Sequence, residues 1–386
     1  MMRRFFAIVS IVSLLPLSSY SQDEQGKIEV NGYTSTLTSA IFEKLKGPII
    51  IDNLIHNRLN FKSYLGSKIT FSAEARNRLF FGDMVRLSTG YAENIASDQG
   101  LVDMSWNIAK GNSLFINTTL DRLWLDFNSG RFQSRIGRQR INWGQTLIWN
   151  PNDIFNAYSY FDFDYVERPG SDAIRLQYYP GSSSTIELAI KSDYNEEVTA
   201  AALYRFNKWA YDIQLLSGVL QNDELVAGVG WSGAFGSVSF RGEGTWFQPF
   251  KSFSDTIGTG LFTIGADKFF GDNSALQVQV MICNNPYEFN NVTNLYSAEN
   301  MSVKDLAFSK FSAFASYTYP VIPLFSTSVS GMWFPDLTGF FTGISADYSV
   351  AENVDISALW QHFDGVFGST GRGRMNVAFL RIRFSY

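Results

Sequence analysis

Two sets of residues in this 386-residue chain have the chemistry to act on a passing solute. The first is basic. Arg58 with Lys62, Arg76 with Arg78, Arg122, and Arg135 lie in segments of alternating polarity, where even spacing puts side chains on one face. Arg138 and Arg140 follow at once, but on the opposite face from Arg131 and Arg135. The second set fills a run of roughly thirty residues, 142–170. It carries the carboxylates Asp153, Asp162, Asp164 and Glu167, with Arg168 beside them and Asp172 just beyond. Trp143, Trp149, Phe155, Tyr158, Tyr160, Phe161, Phe163 and Tyr165 are interleaved.

A basic wall facing an acidic loop would set up a transverse field, which orients polar solutes and biases ion passage. The same charges would neutralise one another and pin the loop. Pinning is the first expectation and selectivity an addition to it. The aromatics would pack the loop against the wall, with stacking on sugar faces as the alternative. Asp162, Asp164 and Glu167 read as an acidic loop rather than a calcium site.

Enzyme chemistry finds little support. The histidines are His56 and His362, and serines are too widespread to define a triad. There is no HExxH, no CxxC and no phosphate-cradling glycine loop. We expect no enzymatic activity, no metal and no cofactor. The formal charge of −5 argues against a nucleic-acid partner.

The elements that would position these residues are strands. Period-two alternation occurs in about eighteen places, including 28–37, 54–64, 68–80, 113–127 and 130–141, and ends with 373–386. Most segments are nine to thirteen residues, enough to cross a bilayer when tilted. Ile69, Phe71, Ala73 and Ala75 form one apolar row; Ile186, Leu188 and Ile190 a second; Leu276, Val278, Val280 and Ile282 a third. Short connections such as Gly66-Ser67 and Asn128 to Gly130 alternate with long ones at 38–53, 81–112, 142–170, 284–306 and 364–372. Aromatics make up 16% of the chain, as interfacial girdles require.

Residues 1–21 read as a secretory signal, with Arg3 and Arg4 before an apolar core and small residues before a cut ahead of Gln22. Its removal takes the net charge to −7. The lone Cys283 excludes an internal disulfide framework. No later stretch offers an uninterrupted membrane helix. The last strand puts Ala378, Leu380, Ile382, Phe384 and Tyr386 on one face and ends on an aromatic. This resembles the C-terminal assembly signal of bacterial outer-membrane barrels, carried here by Phe384 and Tyr386. The expected fold is therefore all-β: residues 22–386 form a single transmembrane antiparallel barrel of about 16–18 strands.

Arginine facing lipid at the midplane costs about 2–4 kcal/mol. A bulge near Gly137 that turns Arg138 and Arg140 inward is expected, or a strand that has left the membrane by Arg138.

The string DRLWLDF…RIGRQRINWGQTLIWNPNDIFN…ERPGSDAIRLQYY, over Asp121 to Tyr179, carries a further resemblance. It resembles a family of Gram-negative outer-membrane β-barrels of the porin-like superfamily with a GRQxxxWG…NPxDxFN signature. The matching positions are Gly137, Arg138, Gln139, Trp143, Gly144, Asn150, Pro151, Asp153, Phe155, Pro169, Gly170 and Asp172. On the residues alone, Gly144 and Gly170 would permit tight turns, and Asp153 would hold N–H groups or an arginine.

With an even strand count both termini are periplasmic and 142–170 is the third external loop, the one general porins fold inward. The expected function is an outer-membrane channel through which small hydrophilic solutes diffuse, constricted by that loop. Alternatives are a substrate-specific conduit for a glycan or lipid, with the aromatic loop as its track, and a non-conducting binding barrel. The expected partners are outer-membrane lipid, small hydrophilic solutes, the barrel assembly machinery and, for a porin, two further copies in a homotrimer.

Overall fold

The computed structural model describes residues 27–161, 167–168, 170–251, 253, 255–288, 302–367 and 371–386. The expected signal over 1–21, and Asp162 and Asp164, lie outside the described residues.

Alternating sequence becomes a closed sheet. Strand β1 (Ile28–Phe42) pairs antiparallel with β2 (Ile49–Leu65) on one edge and with β19 (Gly371–Ser385) on the other. The circuit continues through β3 (Ile69–Gly82), β5 (Leu114–Ser129), β6 (Phe132–Gln139), β7 (Ser171–Gly181) and β8 (Ser184–Ser192). It runs on through β9 (Val198–Lys208), β10 (Tyr211–Leu220), β11 (Glu224–Phe235), β12 (Val238–Pro249), β13 (Thr259–Phe269) and β14 (Ala275–Cys283). Strands β15 (Phe311–Ile322), β16 (Phe325–Phe334), β17 (Gly339–Ala351) and β18 (Val354–Phe367) return it to β19. The result is a closed antiparallel barrel of 18 strands. Closure leaves no unpaired edge. Strand β4 (Ser105–Lys110) is additional: it pairs with the upper part of β5.

The outer surface is the apolar face of each strand. Ile186, Leu188 and Ile190 are exposed while Glu187 between them is buried. Leu276, Val278 and Ile282 alternate with buried Gln279, Met281 and Cys283 in the same way. Leu380, Ile382 and Phe384 on β19, and Tyr386 just after it, are likewise exposed. The wall thus turns grease outward and its buried, largely polar set inward.

Three expectations are corrected. The first hairpin is longer than its pattern suggested: β1 runs to Phe42 and β2 starts at Ile49, so its loop is 43–48 rather than 38–53. The expected loop 81–112 is built, with short helices Asp83–Leu87 and Tyr91–Ala96 and then β4. Tyr91, Ala92 and Ile95 seat these helices on Leu37, Leu54, Phe80 and Phe115.

No bulge forms at Gly137, where the register with β5 and β7 stays continuous. Gly137 instead takes φ 112°, and an added Cβ would stand 2.2 Å from the Leu123 carbonyl oxygen. Only glycine fits, and the chain turns there before leaving the wall. The phase shift lies one strand earlier, where the β3–β5 register breaks between Glu74 and Ala75. Asp121 is the extra residue, and both Asp121 and Arg122 become buried.

Candidate functional site

The basic residues of β2, β3 and β5 surround that bulge. Arg58 Nη1 lies 2.5 Å from Asp121 Oδ2, and its Nη2 lies 2.5 Å from Glu74 Oε2. Arg76 Nε approaches Asp121 Oδ1 at 3.4 Å. Arg78 donates to Asn117 Oδ1 at 2.9 Å. Arg122 Nη1 donates to its neighbour's carbonyl, Asp121 O, at 2.7 Å. Arg135 pairs with Asp126 at 2.9 Å and lies over the Trp124 ring. Arg138 is clamped between Asp98 at 2.5 Å and Asp172 at 2.7 Å, and also donates to Val102 O. Lys62 is half-buried, its ammonium 5.0 Å from the Tyr64 ring centroid. Arg58, Arg76, Arg135 and Arg138 are thus ion-paired, each to a carboxylate outside the 142–170 loop.

The 142–170 loop is hydrogen-bonded to buried residues of β8, β10, β12 and β14. Trp143 is 1% exposed; its indole N–H donates to Glu187 Oε1 of β8 at 2.7 Å, and its carbonyl accepts from Gln214 Nε2 of β10 at 2.7 Å. On β12, Glu243 accepts from the backbone N–H groups of Gln145, Thr146 and Asn152. On β14, Gln279 accepts from the Ile148 N–H at 3.0 Å and donates to Trp149 O at 3.0 Å. Asn152 lies on β11: its Nδ2 donates to Val229 O at 3.0 Å and its Oδ1 accepts from Thr245 Oγ1 at 2.6 Å.

Glycines on β11 make that seat. An added Cβ at Gly228 would meet Asn152 Oδ1 at 2.6 Å, and one at Gly230 would meet Asn152 Nδ2 and Gln145 Oε1 at 2.9 Å.

Beyond the polar clasps, the loop's aromatics build a dry core. Phe155 packs edge-on to Trp143, with centroids 4.9 Å apart. Phe161 lies 5.1 Å from Phe341 of β17, and Tyr160 lies 5.2 Å from Phe314 of β15. Trp143, Trp149, Phe155 and Phe161 are all buried. These rings face protein, as packing requires.

The loop then reaches the basic wall. Glu167 Oε2 accepts from the Tyr33 hydroxyl of β1 at 3.0 Å, and Arg122 Nη2 donates to Glu167 O and Arg168 O at 3.0 and 2.7 Å. A cavity of about 250 Å³ remains between Arg76, Arg78 and Asp121 on the wall and Ile154 to Ala157 on the loop, with Lys191 beside it.

Asp153 lies within the loop and feels the charge of Arg140. Asp153 is fully buried, its Oδ1 is 3.4 Å from the Trp143 N–H, and its Oδ2 has no hydrogen-bond partner. Burial pushes its carboxyl up to about 7, against the pull of Arg140. The Arg140 and Arg168 guanidiniums both lie over the Tyr158 ring. Burial and the neighbouring Arg140 bring the Arg168 guanidinium down to about 10.

The signature residues thus have local structural tasks. Gly144 and Gly170 serve close approach rather than a turn: a Cβ at Gly144 would be 2.6 Å from Asn150 Oδ1, and one at Gly170 2.8 Å from Asp121 O. Sequence reasoning missed Glu243 and Gln214. Their only signal is a lone acid or amide on an inward face, next to glycines in the case of Glu243.

No protein-family model matches the chain, and no curated protein matches it by sequence. Its architecture does match solved structures. Pseudomonas aeruginosa OccK11 (OpdR) superposes with a TM-score of 0.60 at 8% identity, covering 95% of this chain and 98% of that one. Acinetobacter baumannii OccAB3 gives 0.61 at 9% identity, covering 93% and 99%. The outer membrane protein OpdK of P. aeruginosa gives 0.59 at 10% identity, covering 93% and 98%. At such identities the likeness is one of fold.

Proposed function

We propose that the protein is an outer-membrane channel for small hydrophilic solutes, with the 142–170 loop as its constriction. One observation carries this reading. The loop is bonded to β8, β10, β12 and β14 over Trp143 to Asn152 and to β1 and β5 at Glu167 and Arg168, so it spans the interior. An 18-strand cylinder is wide enough to hold an aqueous path. The apolar outer rows suit lipid, and one structural neighbour is itself described as an outer membrane protein.

The passage would run between Arg76 and Arg78 on the wall and Ile154 to Ala157 on the loop. Arg58, Arg122, Arg135 and Arg138 then serve mainly to hold wall and loop in place, and Lys62, Arg140 and Arg168 contribute to the field. Phe384 and Tyr386 would present the chain to the barrel assembly machinery, and a homotrimer is the assembly we favour. The glycan or lipid conduit is the weaker reading, because the loop's described tryptophans and Phe155 are turned into protein rather than along a path.

Single-channel recording in a planar bilayer tests the proposal, with the mature chain beside a variant lacking 152–166. Ohmic steps that grow on deletion are expected. Silence from both folded proteins would replace the channel with a binding barrel.

A further inference from the structure

We propose that Glu243 positions the constriction, and that the 145–152 turn of the loop is built as a receptor for its carboxylate. The inference rests on the channel reading only for its functional consequence. Its geometry stands alone.

Glu243 sits at the middle of β12, wholly buried, between Gly242 and Gly244. Its cross-strand partners are Gly230 on β11 and Thr263 on β13. No lysine or arginine is paired with it among the described residues. Its compensation comes entirely from the loop. Oε1 accepts from the N–H groups of Gln145 and Thr146, and Oε2 accepts from the Asn152 N–H at 2.9 Å; the Thr146 hydroxyl is 3.0 Å from Oε1 but gives its one proton to Trp149 O by the shorter contact.

An ionised carboxylate is an acceptor on both oxygens, and peptide N–H groups are donors only. The three peptide N–H groups match the carboxylate's acceptors. One side chain therefore does two things. It gathers residues seven apart in sequence into a turn, and it fixes that turn to a wall strand more than ninety residues away. An amide at this position would bring two N–H donors against donors.

This predicts chemical complementation. Glu243→Ala removes the CH₂–COO⁻ unit and leaves three loop N–H donors around a space of acetate's size and charge. Acetate is the probe, and neutral acetamide is its control.

The experiment uses the full mature barrel, folded in detergent or bilayer, with Glu243→Ala and Glu243→Gln beside the parent. Two readouts are taken: hydrogen exchange of the 145–152 peptide, and single-channel conductance at constant ionic strength in chloride and in acetate. In Glu243→Ala, exchange in 145–152 is expected to rise about tenfold or more, the scale of lost charge-assisted bonds. Conductance rises with it. Acetate returns both toward parental values and acetamide does not. In Glu243→Gln both rise, and acetate does not restore them because the amide fills the space.

Unchanged exchange in Glu243→Ala overturns the proposal. So does a rise that acetate and acetamide affect alike. If Glu243→Ala does not fold, Glu243→Gln decides: raised local exchange supports the role, and parental exchange overturns it. A parent that folds but carries no current overturns the channel reading alone, because exchange still reports on Glu243.

Discussion

Arg58 and Asp121 form a buried ion pair at 2.5 Å, and each side chain is 2% exposed. Asp121 is the residue that the β3–β5 register leaves over, so a backbone irregularity places the carboxylate that Arg58 and Arg76 share. Removing one member of a buried pair leaves a charge without compensation, at a cost of about 3–5 kcal/mol. Asp121→Asn is therefore expected to lower the barrel's urea midpoint markedly. Arg58→Met with Asp121→Leu should not recover the loss, because Glu74 and Arg76 would each lose the partner that these two side chains give them. Denaturant titration followed by tryptophan fluorescence checks both. Equal midpoints for Asp121→Asn and the parent would count against the pair's structural role.

Asp153 gives the loop a response to pH. Its carboxyl lies near 7 in the folded protein, raised by burial from an ordinary value near 3.8. The charged groups that act on it are Arg140, Arg168 and Glu243, and its charge in turn acts on Lys191. The folded state holds this proton more tightly than the unfolded chain, so Asp153 favours folding at low pH. That contribution is full below about pH 4 and is lost as pH rises through about 7. Asp153→Asn should be more stable than the parent at pH 8 and no more stable at pH 4. The same proton changes selectivity. Below pH 6 a neutral Asp153 leaves Arg140 and Arg168 unbalanced, and reversal potentials should move toward anions. A parental pH dependence retained in Asp153→Asn would refute the assignment.

The outer face was legible from the chain alone. Ile186, Leu188 and Ile190 show a strict period of two because the outward face of a strand recurs at every second residue. The inner face was less legible, for two reasons. The extra residue at Asp121 has no local signature, and it moves Arg122 onto the face that Asp121 already occupies. Glu243 has meaning only through the N–H groups of Gln145, Thr146 and Asn152, and backbone donors leave no trace in a sequence. The aromatic loop was recognised as special, but composition could not say which way its rings would turn. Trp143 went to Glu187 because a buried indole N–H needs an acceptor.

Gly230 offers a way to move the loop without touching it. A Cβ there would press on Asn152 Nδ2, Gln145 Oε1 and Gln214 Cγ, each at 2.9 Å. Overpacking of this kind costs about 1–3 kcal/mol. In Gly230→Val the barrel can relieve the strain by releasing the loop, since β11 itself is fixed by its neighbours on both edges. Raised conductance is expected, with an unchanged unfolding midpoint for the barrel. A lowered midpoint at parental conductance would mean that the wall yields instead.

The closing strand separates assembly from stability. Leu380, Ile382 and Phe384 on β19, and Tyr386 just after it, lie exposed, so Phe384 contributes little to interior packing. Tyr386 does more: its backbone exchanges two 2.9 Å hydrogen bonds with Gly32, and its hydroxyl accepts from Asn57 Nδ2 at 2.9 Å across the seam. Phe384→Ala should refold in detergent as the parent does; under the proposal that Phe384 presents the chain to the barrel assembly machinery, it should accumulate several-fold less in the outer membrane. Deleting Tyr386 removes the backbone pair that ends the β1–β19 seam, and refolding yield itself should fall. Fractionated membranes and heat-modifiable gel mobility measure the two effects separately. Equal membrane levels for Phe384→Ala and the parent would leave Phe384 as a lipid-facing residue with no part in recognition.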